Sequence, residues 1–373
     1  MKNKANIIFS RNWQLIITII CCSGFFLPQP VLFAIICLLF FVRYLTDNRL
    51  LSTIRVDALL IVNVLFCFYL FSIGFFTNST ALGYYRSALT LLWIPFLSYS
   101  SMTGFTVNNI TFSTTIFIGY LSTALFYIYT GGGAVGFSLS SISRGVTDTG
   151  GENSLLYTAP VLLYIVLSSK IWKGVFKLVL ACLAIVAVYF SMKRAAYLSA
   201  ILLFPIFIYR HFLFTIVRRV GFLKSALLVG VFSMIILGSL NFICNWAIEN
   251  GISTMGRIDI WASVLKQPLS LDASRIGTQA VSSLIVPHNE FLRLYVDWGP
   301  FGCFLFFSMI SYLFFINYGG QGIVVLAGVS ILAMTSQPFL YWGAGWFQII
   351  VLLNGDRAIR NAYTTKEISG FLS

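Results

Sequence analysis

His288, Asn289, Glu290, Arg293 and Asp297 crowd into the stretch Pro287 to Gly302 of a chain otherwise poor in such groups. His288 is one of only 2 histidines in 373 residues. An imidazole that is neutral near pH 7 can take a proton from a hydroxyl. Arg293 and Asp297 stand at i and i+4, so they face the same side of a helix. Pro287 and Pro300 each suit the first turn of a helix, and Gly299 can supply a break between them. The spacing therefore predicts a short helix from His288 to Trp298 on the outer membrane surface, followed by a membrane span. His288 falls in the first turn of that helix, where the dipole disfavours an imidazolium and leaves the ring available as a base. Asn289 and Glu290 are early-turn residues beside it. The competing view is structural: His288 caps the helix, and Arg293 with Asp297 is an ordinary surface pair.

Two further segments carry cations suited to an anion. From Gly256 to Leu265, Arg257, Trp261 and Leu265 recur at every fourth position and share one helical face. A guanidinium forks onto a phosphate with parallel hydrogen bonds, and an indole offers a flat plate to a sugar ring. The plainer alternative is an amphipathic helix on the bilayer, with Trp261 as its aromatic anchor. From Ser191 to Ser199, Lys193 and Arg194 lie in a tight hairpin with no acid near them in sequence. They suit a pyrophosphate clamp, or else they snorkel to lipid phosphates. Arg144 sits in a Gly- and Ser-rich loop that could close over a substrate, Arg275 adds a cation to the long loop that precedes His288, and Arg86 is a weaker candidate. His211, in the basic run 210–224, reads as a solvated loop residue. The chain has no P-loop, no zinc-type spacing, no Gly-x-Ser-x-Gly and no acidic pair suited to a metal. Neither a metal nor a cofactor is expected.

The elements that must position these groups are membrane spans. The chain is 58% hydrophobic and 9% charged, against about 25% charged residues in soluble domains. Apolar stretches of about 20 residues recur along its whole length, which predicts an all-α polytopic membrane protein forming a single membrane domain over 1–373. Twelve spans are expected, at roughly 13–28, 31–46, 57–76, 87–103, 111–130, 155–169, 176–192, 195–209, 225–243, 300–317, 322–337 and 340–354. With both termini cytoplasmic, sixteen of the 24 Lys and Arg fall inside and eight outside. That bias is the positive-inside rule, and it accounts for the net charge of +13 without nucleic acid. The outer eight are Arg86, Arg144, Lys193, Arg194, Arg257, Lys266, Arg275 and Arg293. Cations that stay outside against the bias are candidates for function. Two outer loops are long, 131–154 and the large loop 244–299, and the second exceeds an idle connection. The 7 cysteines show neither zinc nor redox spacing and predict no disulfide framework. The basic, apolar N-terminus lacks a small-residue cleavage site before Pro28, which predicts an uncleaved first span.

Taken together, the three segments resemble the O-antigen polymerase and O-antigen ligase superfamily of bacterial envelope proteins. The likeness rests on Lys193-Arg194-Ala195-Ala196, on Gly256-Arg257 followed by Trp261, and on His288-Asn289 followed by Leu292, Gly299 and Gly302, in that order. The first motif is short and the third is the most specific. The likeness covers the C-terminal half, with the first 190 residues alike only in being polytopic. The family often has Gly where this chain has Ala195, and Glu where it has Asp297. The resemblance implies a GT-C-like membrane glycosyltransferase architecture, metal-independent, in the bacterial inner membrane with a periplasmic site. It implies a glycan donor linked to undecaprenyl pyrophosphate, and a chain-length-regulating co-polymerase as a possible partner beside membrane lipid. His288, Arg257 and Arg194 become the catalytic candidates; Lys193, Trp261, Asn289, Arg293, Arg144 and Arg275 become substrate-binding candidates. Polymerase and ligase differ only in acceptor: another lipid-linked repeat unit, or lipid A–core. A lipid-linked glycan flippase is the alternative of a different class. Transporters place charges near the midplane of their spans, whereas this chain keeps them at the edges.

Overall fold

The computed structural model of the protein describes residues 159–190, 194–251, 257–265 and 289–334, together with Leu65, Ile349, Leu352, Leu353 and Asp356. Among the described residues all regular structure is helical. In chain order the helices are α1 (Ala159–Ser168), α2 (Gly174–Phe190), α3 (Arg194–Val220), α4 (Phe222–Glu249), α5 (Arg257–Leu265), α6 (Glu290–Tyr318) and α7 (Gly320–Ala333). α1, α2 and α7 carry apolar side chains on nearly every face, as a helix set in lipid or among other apolar helices requires. Ala196–Val220, Phe222–Glu249 and Pro300–Tyr318 are each long and apolar enough to cross a membrane. The chain is an all-helical membrane protein with several candidate spans. Apart from helical Leu65, the five spans expected before residue 131 lie outside the described residues, as do the loop 131–154, residues 266–288 and most of the span expected at 340–354.

The chain divides into two compact units, with the division falling inside α3 between Arg210 and His211. In the first unit the Tyr164 hydroxyl of α1 donates to the Ala200 carbonyl of α3, and its ring lies 5.3 Å from that of Phe207. The turn from α1 to α2 is held by Asp356. Its buried carboxylate accepts from the Ser169 hydroxyl at 3.1 Å and from the Lys170 N–H at 2.6 Å. The Lys177 ammonium closes the same turn by donating to the Ser169 carbonyl at 2.9 Å.

In the second unit α4 lies along α6, and α7 folds back on α6 through Gly319, whose φ of 58° suits glycine. Two glycines permit the close approach. A Cβ on Gly230 would collide with the Ser308 hydroxyl and lie 2.8 Å from the Phe304 carbonyl oxygen, and one on Gly322 would strike the Phe314 carbonyl. Small residues let membrane helices touch backbone to backbone in this way. α5 docks on the end of α4 through Cys244, Ala247, Ile258 and Ala262, and it also meets α6.

Two expectations need correcting. The basic run 210–224 is helix rather than loop: α3 continues to Val220, and only Gly221, at φ 98°, separates it from α4. Between Pro205 and Gly221 there is no glycine or proline, and Arg is a good helix former; charge alone does not end a helix. His211 is accordingly an exposed helical residue. The helix expected to stop at Gly299 instead runs on, with Pro300 inside α6. Phe291 and Phe307 nevertheless stack with centroids 4.6 Å apart and planes at 11°. A straight helix would hold residues so spaced about 24 Å apart. α6 is therefore sharply bent between them, and Gly299-Pro300 lies midway. Proline removes a ladder hydrogen bond and crowds the preceding turn, so the expected interruption takes the form of a bend.

Candidate functional site

Asn289 sets the start of α6. It is extended, at φ −152° and ψ 121°, and fully buried. Its Oδ1 accepts from the Leu292 N–H at 3.1 Å, an N-cap that satisfies one of the four orphan donors of a helix start. Its Nδ2 donates to the Met334 carbonyl at 3.0 Å, at the carboxyl end of α7. Phe291, Leu292 and Leu294 are buried behind it. The cap is thus Asn289, so His288 precedes the helix instead of occupying its first turn; the histidine itself lies outside the described residues. Arg293 and Asp297 take helical positions one turn apart in α6. Burial pushes the Tyr295 phenol above its ordinary value, so it stays a neutral donor across physiological pH.

α5 begins at Arg257. Asp259, in its first turn, complements the positive end of the dipole. Trp261 and Leu265 pack against Cys244, Ala247, Ile258 and Ala262, so this face of α5 looks onto protein rather than standing free as a lipid anchor. The Trp261 indole N–H is buried and has no acceptor among the described residues. A buried donor left unmatched costs about 1–3 kcal/mol.

α3 begins at Arg194, four residues beyond the end of α2 at Phe190. The Tyr197 hydroxyl of α3 donates to the Tyr189 carbonyl of α2 at 2.6 Å. The tight hairpin expected here turns on residues 191–193, which lie outside the described residues. Arg257, Trp261, Asn289 and Arg293 thus belong to helices of one packed unit, and Arg194 belongs to the other. Lys193, Arg144 and Arg275 lie outside the described residues. Among the described residues no three His, Cys, Asp or Glu side chains gather as a metal site.

The chain matches no protein family, no curated protein and no solved structure.

Sequence reasoning passed over Asp356. Its signal was an acid at the foot of an apolar run, with Arg357 and Arg360 close by; an ionisable group at the edge of a span warrants a search for its partner. The bond from Asn289 to Met334 joins residues distant in sequence, and no local pattern marks it.

Proposed function

We propose that this chain is a lipid-linked oligosaccharide polymerase of the bacterial envelope. It transfers a glycan from undecaprenyl pyrophosphate to the non-reducing-end sugar hydroxyl of another lipid-linked repeat unit. The observation that carries this reading is that each motif feeds the first turn of a helix. Arg194 opens α3, Arg257 opens α5, and His288-Asn289 leads into α6. A helix start exposes N–H groups and partial positive charge, and it favours phosphate oxygens. An arginine there works against its own helix dipole. Its presence at two of the three starts favours a use toward an external anion.

The chemistry follows from those residue types. Oxygen of the acceptor hydroxyl attacks the anomeric carbon while the bond from that carbon to the pyrophosphate oxygen breaks, and the bond's electron pair leaves with the pyrophosphate. His288 takes the hydroxyl proton. Arg257 is assigned to the charge gathering on the leaving group, and the motif of Arg194 suggests the same role for it. Attack opposite the leaving group inverts the anomeric carbon. Trp261, whose ring packs beside Cys244 and Ala247, would bring its unmatched N–H to a sugar or phosphate oxygen, and the bend in α6 sets the Asn289 end apart from the span that follows.

Reconstitution of the purified protein with lipid-linked repeat units, with and without lipid A–core and in the presence of a chelator, tests the reading. Long glycan on the polyprenyl carrier is the expected product, and His288→Ala at unchanged protein level should leave single repeat units. Glycan appearing only on lipid A–core would make the chain a ligase. Movement of intact donor across the vesicle, without new glycosidic bonds, would make it a flippase.

A further inference from the structure

The corner between α3 and α4 has features that catalysis on the opposite face does not use. His211, Thr215 and Arg218 follow helical spacing along one side of α3, with Arg219 next to them, while Phe212, Ile216 and Val220 follow it along another. Both sides are uncovered. Arg218, Arg219 and Lys224 are exposed, and Phe212 is 64% exposed, Ile216 42% and Val220 41%. A helix basic on one side and apolar on the other, with Arg218, Arg219, Phe212, Ile216 and Val220 all exposed, is matched to the boundary between lipid tails and headgroups.

The corner also stands at the level of other helix ends. The Phe214 ring packs at the α6–α7 joint, where a Cβ on Gly319 would lie 3.3 Å from it, and it stacks on Phe222 at 6.1 Å. The carboxyl ends of α3 and α6 and the amino ends of α4 and α7 meet here. Neither amino end has a side-chain cap, since Gly221 and Gly319 precede them. The two carboxyl ends beside them carry the opposite partial charge, so the positive charge of the corner is that of Arg218, Arg219 and Lys224. The sequence around these helix ends brings no acid to the corner, with no Asp or Glu from Asn153 to Ile248 nor from Gly299 to Leu353.

We propose that this corner binds anionic phospholipid headgroups, with Arg218, Arg219 and Lys224 on the phosphates and Phe212, Ile216 and Val220 among the upper acyl carbons. Charge complementarity selects the anionic lipid, and the uncovered apolar side selects a lipid over a free anion. The site does not depend on the polymerase reading.

Thermal unfolding of the full chain in a neutral detergent, with added phosphatidylglycerol or phosphatidylcholine micelles, tests it. Phosphatidylglycerol should raise the midpoint by at least about twice as much as phosphatidylcholine does, because a ligand that prefers the native state stabilises it by mass action. The excess should fall away in Arg218→Gln/Arg219→Gln/Lys224→Gln and persist in Lys170→Gln/Lys173→Gln. On the unmodified chain, raising NaCl from about 0.1 M to about 0.5 M should remove most of it, which keeps the test open if the triple variant does not fold. Equal shifts from the two lipids would overturn the proposal, as would a full shift retained by the triple variant. So would an equal shift from inorganic phosphate alone, or a shift that tracks formation of a dimer.

Discussion

Both ends of the Asn289 amide are engaged inside the protein, with Oδ1 on Leu292 and Nδ2 on Met334. Its part is therefore to fix the start of α6 against the carboxyl end of α7. Asn289→Ala removes the cap, a loss of about 1–2 kcal/mol, and leaves the Met334 carbonyl without that donor. Asn289→Asp keeps the capping oxygen but turns a second oxygen toward Met334. Both variants should lower the thermal midpoint and the turnover while the KM for the lipid-linked donor stays level. A raised KM at unchanged stability would return Asn289 to the substrate. Arg257 is a different case, because a fork onto phosphate cannot be replaced by a point charge. Arg257→Lys should lower turnover by about tenfold or more, equivalent to about 1.4 kcal/mol, with normal stability. Full activity would reduce Arg257 to an interfacial residue.

Helix against helix, the contact that places the site is α4 on α6, since α5 rides on the end of α4 and the Asn289 end belongs to α6. Gly230 is where those two backbones approach, with Ser308 and the Phe304 carbonyl over its missing Cβ. Gly230→Ala must push the helices apart and should cost about 1–3 kcal/mol, read as a lower midpoint together with reduced polymerisation. Gly238 is the matched control. It lies on the same helix with nothing within 4 Å of its Cβ position, so Gly238→Ala should be neutral or gain up to about 1 kcal/mol. Equal effects at the two positions would remove the packing explanation. The described helices themselves were legible from apolar runs. The length of α3 was not, because the charges of 210–224 mimic a loop where only Gly221 interrupts the helix. The bend of α6 was half legible: Gly299-Pro300 marks its place, but its sharpness depends on Phe291 finding Phe307. The hold of Asp356 on Ser169 and Lys170, and of Asn289 on Met334, joins residues far apart in the chain, and no local pattern announces such pairs.

Across the whole molecule the question is which end faces which side, and it reduces to parity. If α3, α4 and α6 each cross and α5 does not, the α3–α4 corner and the α6–α7 joint fall on one side. The packing of Phe214 at Gly319 requires that arrangement. A crossing α5 would separate the two corners by the thickness of the bilayer, about 30 Å, and α5 at 9 residues is too short to cross. The side so defined carries Arg218, Arg219 and Lys224, whereas the starts of α3 and α5 carry Arg194 and Arg257. The positive-inside bias acts on short loops near span ends, and with the twelve spans expected from the sequence it would put sixteen of 24 cations on the side of the α3–α4 corner and both termini. We therefore expect a fluorescent protein fused after Ser373 to fluoresce in intact cells and alkaline phosphatase fused at the same point to be inactive. Phosphatase inserted after Lys266 should be active. An active phosphatase at the C-terminus would reverse every assignment of side and put His288 on the cytoplasmic face, where a periplasmic polymerase could not use it.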